Sequence, residues 1–125
     1  MNEDSIGKLI VPAAVHVHTA LGAGLLESAY EAWLAYELAK HGLMVERQVS
    51  MPVSYESVRL DIGYRIDLLL EQKVVVEIKA VDRVIPARLA QILTYRKLGN
   101  YKLGFLLNFN VAHMRDGIKR VANGL

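Results

Sequence analysis

The chain has 125 residues, of which 53% are hydrophobic, and its formal net charge is +2. This length is close to the commonest domain size and can bury a core, so we expect one domain over residues 1–125. The sequence contains no cysteine, which excludes disulfides and thiolate metal sites and agrees with a cytoplasmic location. We expect neither a signal peptide in residues 1–20 nor a membrane span, because no run approaches about 20 apolar residues.

The hydrophobic pattern predicts two helices ahead of the first strand. Ser5 can cap a helix that runs to about residue 21, and Pro12 either bends that helix or marks its true start. Glycines at positions 22 and 24 break the helix. A second helix is predicted at residues 25–41, followed by Gly42, a residue typical of the position after a helix.

Four strands, a helix and a further strand are predicted next. The four strands cover residues 44–50, 53–56, 59–70 and 74–81 and form an antiparallel meander. Pro86 suits the first turn of a third helix that ends before Gly99, and the apolar run at residues 102–109 suits a strand buried on both faces. Residues 111–122 are predicted to form a terminal helix with a basic side. This order predicts a fold that combines α-helices with a β-sheet.

Charged residues interrupt the two most apolar predicted strands. Strand side chains alternate between faces, so Glu77 and Lys79 share one face. If a hairpin pairs Leu70 with Val74, Asp67 lies opposite Glu77, with the two Cβ atoms about 5 Å apart. Two adjacent carboxylates repel each other unless a cation lies between them. The pattern therefore predicts a divalent-metal site with a lysine beside it.

Charges at alternate strand positions can also belong to a solvated sheet face. Two observations argue against this alternative. The runs Leu-Leu-Leu and Val-Val-Val are too apolar for edge strands with one wet face, and they indicate central strands. In the same register Arg65 would lie opposite Lys79, which is unusual for a surface held together by salt bridges.

Asp67 followed by Glu77-x-Lys79, behind an N-terminal helix that carries a glutamate, resembles the PD-(D/E)XK nuclease superfamily. One departure is that Ile66, rather than proline, precedes Asp67. Proline has no side-chain group that binds metal or takes part in catalysis, so this departure does not affect the resemblance. The resemblance implies an α/β fold with a restriction-endonuclease-like core, in which a mixed central sheet is flanked by helices and the element order is αβββαβ.

Within this superfamily, the chain resembles a small prokaryotic family called GxxExxY proteins. The name motif is present as Gly24-Leu-Leu-Glu27-Ser-Ala-Tyr30. Gln91-Ile-Leu-Thr-Tyr95 resembles the Gln-x-x-x-Tyr element of exonuclease-like members. Together the matches extend from about residue 17 to residue 110, in the order that the family has.

The resemblance implies a hydrolase, namely a metal-dependent nuclease that cleaves phosphodiester bonds of DNA or RNA. The catalytic residues that it implies are Glu27, Asp67, Glu77, Lys79, Gln91 and Tyr95. The implied metal ligands are the carboxylates of Glu27, Asp67 and Glu77 and the backbone carbonyl of Ile78. Oxygen ligands without histidine or cysteine favour Mg²⁺ or Mn²⁺.

The charge is unevenly distributed along the chain. Residues 1–82 have a net charge of −5, whereas the remainder has eight basic residues against one acidic residue, a net charge of +7. Such asymmetry indicates that the C-terminal third faces a polyanion, although a solubilising helix surface is the alternative. The candidate nucleic-acid-binding residues are Arg83, Arg88, Arg96, Lys97, Arg115, Lys119 and Arg120. DNA as the polyanion is implied by the resemblance.

Two alternatives to a self-sufficient nuclease remain open at this point. A module without catalytic activity could keep the fold and bind nucleic acid or a partner protein, although it would not need an expensive carboxylate cluster. The chain could also act as a homodimer or within a larger complex that supplies specificity.

Overall fold

The computed structural model describes residues 1–61 and 63–123, with the backbone alone described at Arg96. The α-helices in this part of the chain are α1 (Glu3–Leu21), α2 (Glu27–Lys40) and α3 (Pro86–Gly99). The strands are β1 (Val45–Ser50), β2 (Val53–Tyr55), β3 (Val58–Leu60), β4 (Arg65–Leu70), β5 (Val74–Lys79), β6 (Leu103–Asn108) and β7 (Ile118–Ala122). A short 3-10 helix (Met114–Gly117) precedes β7.

Five of these strands form one sheet in the order β1-β4-β5-β6-β7. Neighbouring strands are antiparallel except β5 and β6, which are parallel. Parallel neighbours need a long crossover connection, and α3 supplies it. The β2–β3 hairpin forms a separate two-stranded sheet between β1 and β4 in the chain. The predicted mixed sheet with flanking helices in αβββαβ order is confirmed. The predicted four-strand meander is wrong, because β1 pairs directly with β4 and the hairpin between them in the chain forms its own sheet.

Helix α1 begins earlier than predicted because Asn2, rather than Ser5, is its cap. The side-chain oxygen of Asn2 accepts a hydrogen bond from the backbone N–H of Ser5 at 2.8 Å. Pro12 lies inside the helix and not at its start. In the described part of the chain, no helix is both long enough and apolar enough to cross a membrane.

The sheet buries apolar side chains on both faces, and one strand changes face near its start. Leu68 and Leu70 of β4 pack toward α1 and α2, whereas Leu69 packs on the face that α3 covers. Strict alternation would place Ile66 with Leu68, but Ile66 packs with Leu69. Alternation therefore breaks between Ile66 and Leu68. This break lets Asp67 face a cavity bordered by α2.

The strand predicted at residues 59–70 is two strands, β3 and β4, separated by a turn. The side chain of Asp61 accepts a hydrogen bond from the Gly63 N–H at 3.2 Å, and Gly63 has φ 88°. A short polar side chain bonding two residues ahead and a left-handed glycine are typical of a turn. Ile62, which the predicted strand includes, lies outside the described residues.

The predicted terminal helix at residues 111–122 is wrong. After the 3-10 helix the chain reverses at Gly117 and enters β7, which pairs antiparallel with β6. A side chain at Gly117 would collide with the carbonyl oxygen of Asn108, so the close approach needs glycine. Pairing with β7 gives the fully buried β6 a hydrogen-bonded neighbour on each side, which the predicted helix would not have done.

Candidate active site

Asp67 and Glu77 lie where strands β4 and β5 stop pairing through their backbones. The observed pairs Leu70–Val74 and Leu68–Val76 confirm the predicted register. Beyond them, the Ile78 N–H donates to a carboxylate oxygen of Asp67 at 2.8 Å. The Asp67 N–H points to a carboxylate oxygen of Glu77 at 3.4 Å. Side chains thus replace backbone acceptors at the strand ends, and the two carboxyl groups are brought together.

Glu77 is held in a position that strongly disfavours its charge. Its residue surface is only 4% exposed. Burial, and then the negative charge of Asp67, raises the pKa of Glu77 from 4.5 to about 9. The charge of Lys79 acts in the opposite direction but is the smaller effect. Without a cation, Glu77 therefore keeps its proton at neutral pH.

The end of β5 is clamped by a buried asparagine that the sequence analysis missed. Asn108, only 4% exposed, lies opposite Lys79 in the parallel pairing. Its amide oxygen accepts from the Val81 N–H at 3.1 Å, and its amide nitrogen donates to the Val81 carbonyl at 2.9 Å. The Phe109 N–H donates to the Lys79 carbonyl at 2.9 Å. These bonds hold the backbone that carries Lys79. A polar residue within the apolar run of β6 was the sequence feature that could have indicated this role.

Gln91 and Tyr95 belong to α3, which packs on the opposite face of the sheet to α2. The Gln91 amide donates to the Tyr95 hydroxyl at 2.6 Å, as their i, i+4 spacing allows. Tyr95 is buried in the cluster that contains Ile66. Burial raises the pKa of Tyr95, and the negative charges of Glu77 and Asp67 add to this shift. The Tyr95 hydroxyl lies 3.5 Å from the backbone carbonyl of Arg65, two residues before Asp67 on β4.

Glu27 is the first residue of α2 and borders the same cavity as Asp67, at its exposed rim. A carboxylate oxygen of Glu27 lies 3.4 Å from the Ala80 N–H, just beyond the end of β5. The cavity has a volume of about 690 Å³ and is also lined by Ile78. Glu27 therefore faces the strand ends, but the structure does not bring its carboxylate into the Asp67–Glu77 pair.

Tyr30, three residues after Glu27, has a structural role. Its hydroxyl donates to the Gly22 carbonyl at 2.6 Å and accepts from the Leu25 N–H at 3.1 Å. Its buried ring stacks on Phe109 with a centroid distance of 4.5 Å. Tyr30 thus ties the loop between α1 and α2 to the core, and this loop determines where α2 and Glu27 begin.

A hydrogen-bonded group of three polar residues, one of which contacts Asp67, was not predicted from the sequence. Glu31, 6% exposed, accepts two hydrogen bonds from the Arg47 guanidinium at 2.9 and 3.1 Å. The Gln48 amide nitrogen donates to Glu31 at 2.6 Å and to Asp67 at 3.1 Å. Glu31 lies one helical turn after Glu27, and this spacing could have predicted that the two side chains share a helix face. Nothing in the sequence around Gln48 pointed to its role.

The residues at the strand ends fit a divalent cation in their chemistry. Asp67 and Glu77 offer hard oxygen donors. Burial, and then the negative charge of Asp67, raises the pKa of Glu77, and a nearby cation would favour the ionised carboxylate. Within residues 1–61 and 63–123, no group of three or more acidic or histidine side chains is close enough to hold an ion together. The structure therefore supplies a carboxylate pair, with Glu27 outside it.

The candidate nucleic-acid-binding cations lie on two different faces. Exposed residues on or near α3 are Arg83, Arg88 and Lys97, and exposed residues near the end of the chain are Arg115, Lys119 and Arg120. Lys119 pairs with Leu106, which in turn pairs with Glu77, so Lys119 shares the sheet face of Glu77. Arg120 has the opposite orientation and donates to Asp4 of α1 at 2.9 Å. The side chain of Arg96 lies outside the described structure.

Together, the fold and the strand-end site define an α/β domain of the restriction-endonuclease type, with an Asp–Glu pair and a lysine on its central strands. Comparison with protein families gives a match to the PD-(D/E)XK nuclease superfamily over residues 4–121. The chain belongs to this superfamily, and PD-(D/E)XK nucleases generally use divalent metal ions. Searches of curated proteins and of solved structures each gave no match.

Proposed function

We propose that the protein is a nuclease that hydrolyses phosphodiester bonds of DNA or RNA with Mg²⁺ or Mn²⁺. One observation carries the proposal: the carboxyl groups of Asp67 and Glu77 meet at the strand ends, where Glu77 is almost fully buried. Such a pair is costly unless a cation joins it. Within the superfamily, Gly24, Glu27 and Tyr30 support assignment to the GxxExxY proteins.

The proposed metal ligands are the carboxylates of Asp67 and Glu77, the backbone carbonyl of Ile78 and, from α2, Glu27. All of them are hard oxygen donors, which suit Mg²⁺ and Mn²⁺. Such an ion, when bound, neutralises charge on a phosphate oxygen and lowers the pKa of an attacking water. Glu77 must release its proton to act as a ligand, so we expect metal binding to strengthen as the pH rises.

The remaining roles fall to Lys79, Gln91 and Tyr95. Lys79 follows Glu77 on the same face of β5, and its charge lowers the pKa of that carboxyl group. We assign it to orienting the attacking water or to stabilising the negative charge that develops on the phosphoryl oxygens. Gln91 and Tyr95 approach from α3 and are assigned to positioning the water or the scissile phosphate.

We propose that exposed cations contact the phosphate backbone of the nucleic acid without reading bases. These cations are Arg83, Arg88, Lys97, Arg115 and Lys119. Arg96 belongs to the same proposed set by its position in α3. Arg115 and Arg120 are weaker members, because Arg115 lines a cavity with His18 of α1 and Arg120 is paired with Asp4 of the same helix. The chain is too short to contain a separate domain for substrate specificity, so a homodimer or a larger complex would supply that specificity.

The proposal is tested by titrating Mg²⁺ and Mn²⁺ against a panel of single-stranded, double-stranded and branched DNA and RNA. We expect cleavage of at least one DNA or RNA substrate by the wild type and none by Asp67→Asn. No cleavage of any substrate with either metal would reject the nuclease. Binding without cleavage would then identify a nucleic-acid-binding module that keeps the fold.

Lys79→Ala separates chemistry from binding. We expect its single-turnover cleavage rate to fall by roughly 10²–10³-fold, the usual result of losing one charge-stabilising group. Substrate affinity measured in Ca²⁺, which suits a hard-oxygen site, should change far less. A variant that loses affinity as strongly as rate would place Lys79 in substrate binding instead.

A further inference from the structure

Gln48 joins a buried carboxylate of one helix to the carboxylate of Asp67. Its amide nitrogen donates to Glu31 of α2 at 2.6 Å and to Asp67 of β4 at 3.1 Å. An amide nitrogen has two hydrogens, so both bonds can form at once. The other oxygen of Glu31 is occupied by Arg47, which leaves the first oxygen for Gln48. The hydrogen bond to Glu31 thus fixes the position of the Gln48 amide that donates to Asp67.

The backbone of β1 is distorted at this position. Gln48 falls between the pairs Arg47–Leu68 and Val49–Ile66, and therefore opposite Asp67. Its φ of 52° lies in the left-handed region, which is unfavourable for a residue with a side chain and unusual inside a strand. Such a conformation persists only where the surroundings enforce it, and it is common at functional sites. Here it accompanies the hydrogen bonds that aim the Gln48 amide at Asp67.

The bond from Gln48 completes the orientation of Asp67. One carboxylate oxygen of Asp67 accepts from the Ile78 N–H at 2.8 Å, and the other accepts from Gln48. A carboxylate held at both oxygens has little freedom to rotate, yet each oxygen keeps a second lone pair. Removing a polar group that orients a metal-ligating side chain in this way typically weakens metal binding by about 10- to 100-fold.

We propose that Gln48, anchored by Glu31, is a positioning residue that holds the Asp67 carboxylate ready for a divalent cation. This inference rests on the proposed metal-dependent function and adds a residue that the superfamily motif does not contain. A purely structural role would require that the loss of Gln48 destabilises the fold. A positioning role requires that the loss weakens metal binding even when the fold is as stable as before.

Gln48→Gly distinguishes these roles, because glycine accepts the left-handed backbone while removing the amide. The chain offers a matched control in Gln72, an exposed glutamine with φ 54° in the turn between β4 and β5. Gln72→Gly makes the same chemical change, with the same relief of backbone strain, at the end of the hairpin away from Asp67. Gln48→Met keeps the length of the side chain and removes its donor, which tests the amide without the glycine.

Mn²⁺ is titrated calorimetrically into each metal-free variant, and melting is recorded with and without Mn²⁺. We expect Gln48→Gly and Gln48→Met to bind Mn²⁺ roughly 10- to 100-fold more weakly than the wild type. Gln72→Gly should bind Mn²⁺ as the wild type does, and both Gln48 variants should remain folded at the temperature of the titration. Wild-type Mn²⁺ affinity in both Gln48 variants would overturn this inference and leave the nuclease intact. A wild type that does not bind Mn²⁺ would overturn both proposals.

Discussion

Replacing Glu77 with glutamine should stabilise the metal-free protein, by an amount that grows with pH. Folding raises the pKa of Glu77 from 4.5 to about 9, so the folded protein keeps a proton that the unfolded chain releases above pH 4.5. Below the lower value both states are protonated, and no difference arises. Between the two values the wild type loses stability by up to about 1.4 kcal/mol per pH unit. Glutamine is neutral throughout and avoids this loss.

The size of the effect at neutral pH follows from the distance between pH 7 and the lower pKa. Over that interval the wild type loses about 3 kcal/mol relative to a variant that is neutral at this position. For a chain of this length, that difference corresponds to roughly 10 °C in melting temperature. Glutamine also preserves the shape of the side chain and an oxygen that can accept from the Asp67 N–H.

The assay is thermal unfolding of the wild type and Glu77→Gln in a metal chelator at about pH 5 and about pH 8. Glu56→Gln is the matched control, since Glu56 is an exposed glutamate in the β2–β3 turn. The advantage of Glu77→Gln should be small at the lower pH and large at the higher pH. The reasoning is refuted if Glu77→Gln melts below the wild type at the higher pH, or if its advantage does not depend on pH.

Three further predictions follow from individual contacts. Tyr30→Phe removes the hydroxyl between Gly22 and Leu25 and should cost about 1–2 kcal/mol in chemical unfolding; the exposed Tyr36→Phe is the control, and an equal loss there would contradict the assigned role. Asn108→Ala leaves both backbone groups of Val81 without their partner and should cost about 2 kcal/mol and speed amide exchange at Val81. Unchanged exchange would show that the clamp does not hold this segment. Lys119→Ala should lower the salt dependence of nucleic-acid binding by about one unit of slope, whereas Arg120→Ala should leave it unchanged. Equal effects of the two variants would contradict the assignment of the basic residues to separate faces.

The sequence by itself determined the fold class and the centre of the site. The apolar runs of β5 and β6 required burial on both faces, and the helices around them followed from periodicity and glycine breaks. The register of β4 and β5 was predictable because a short polar turn allows few pairings. With that register known, the meeting of Asp67 and Glu77 followed from strand geometry.

Only the tertiary structure decided the features that depend on residues far apart in the chain. The helical pattern of residues 111–122 gave way to β7 because β6 needed a hydrogen-bonded neighbour and Gly117 had to approach Asn108. The left-handed backbone at Gln48 is not a preference of glutamine, so no local signal could reveal that its amide reaches Glu31 and Asp67. Local patterns report on burial and backbone preference, whereas these contacts arise when separate elements pack and satisfy each other's polar groups.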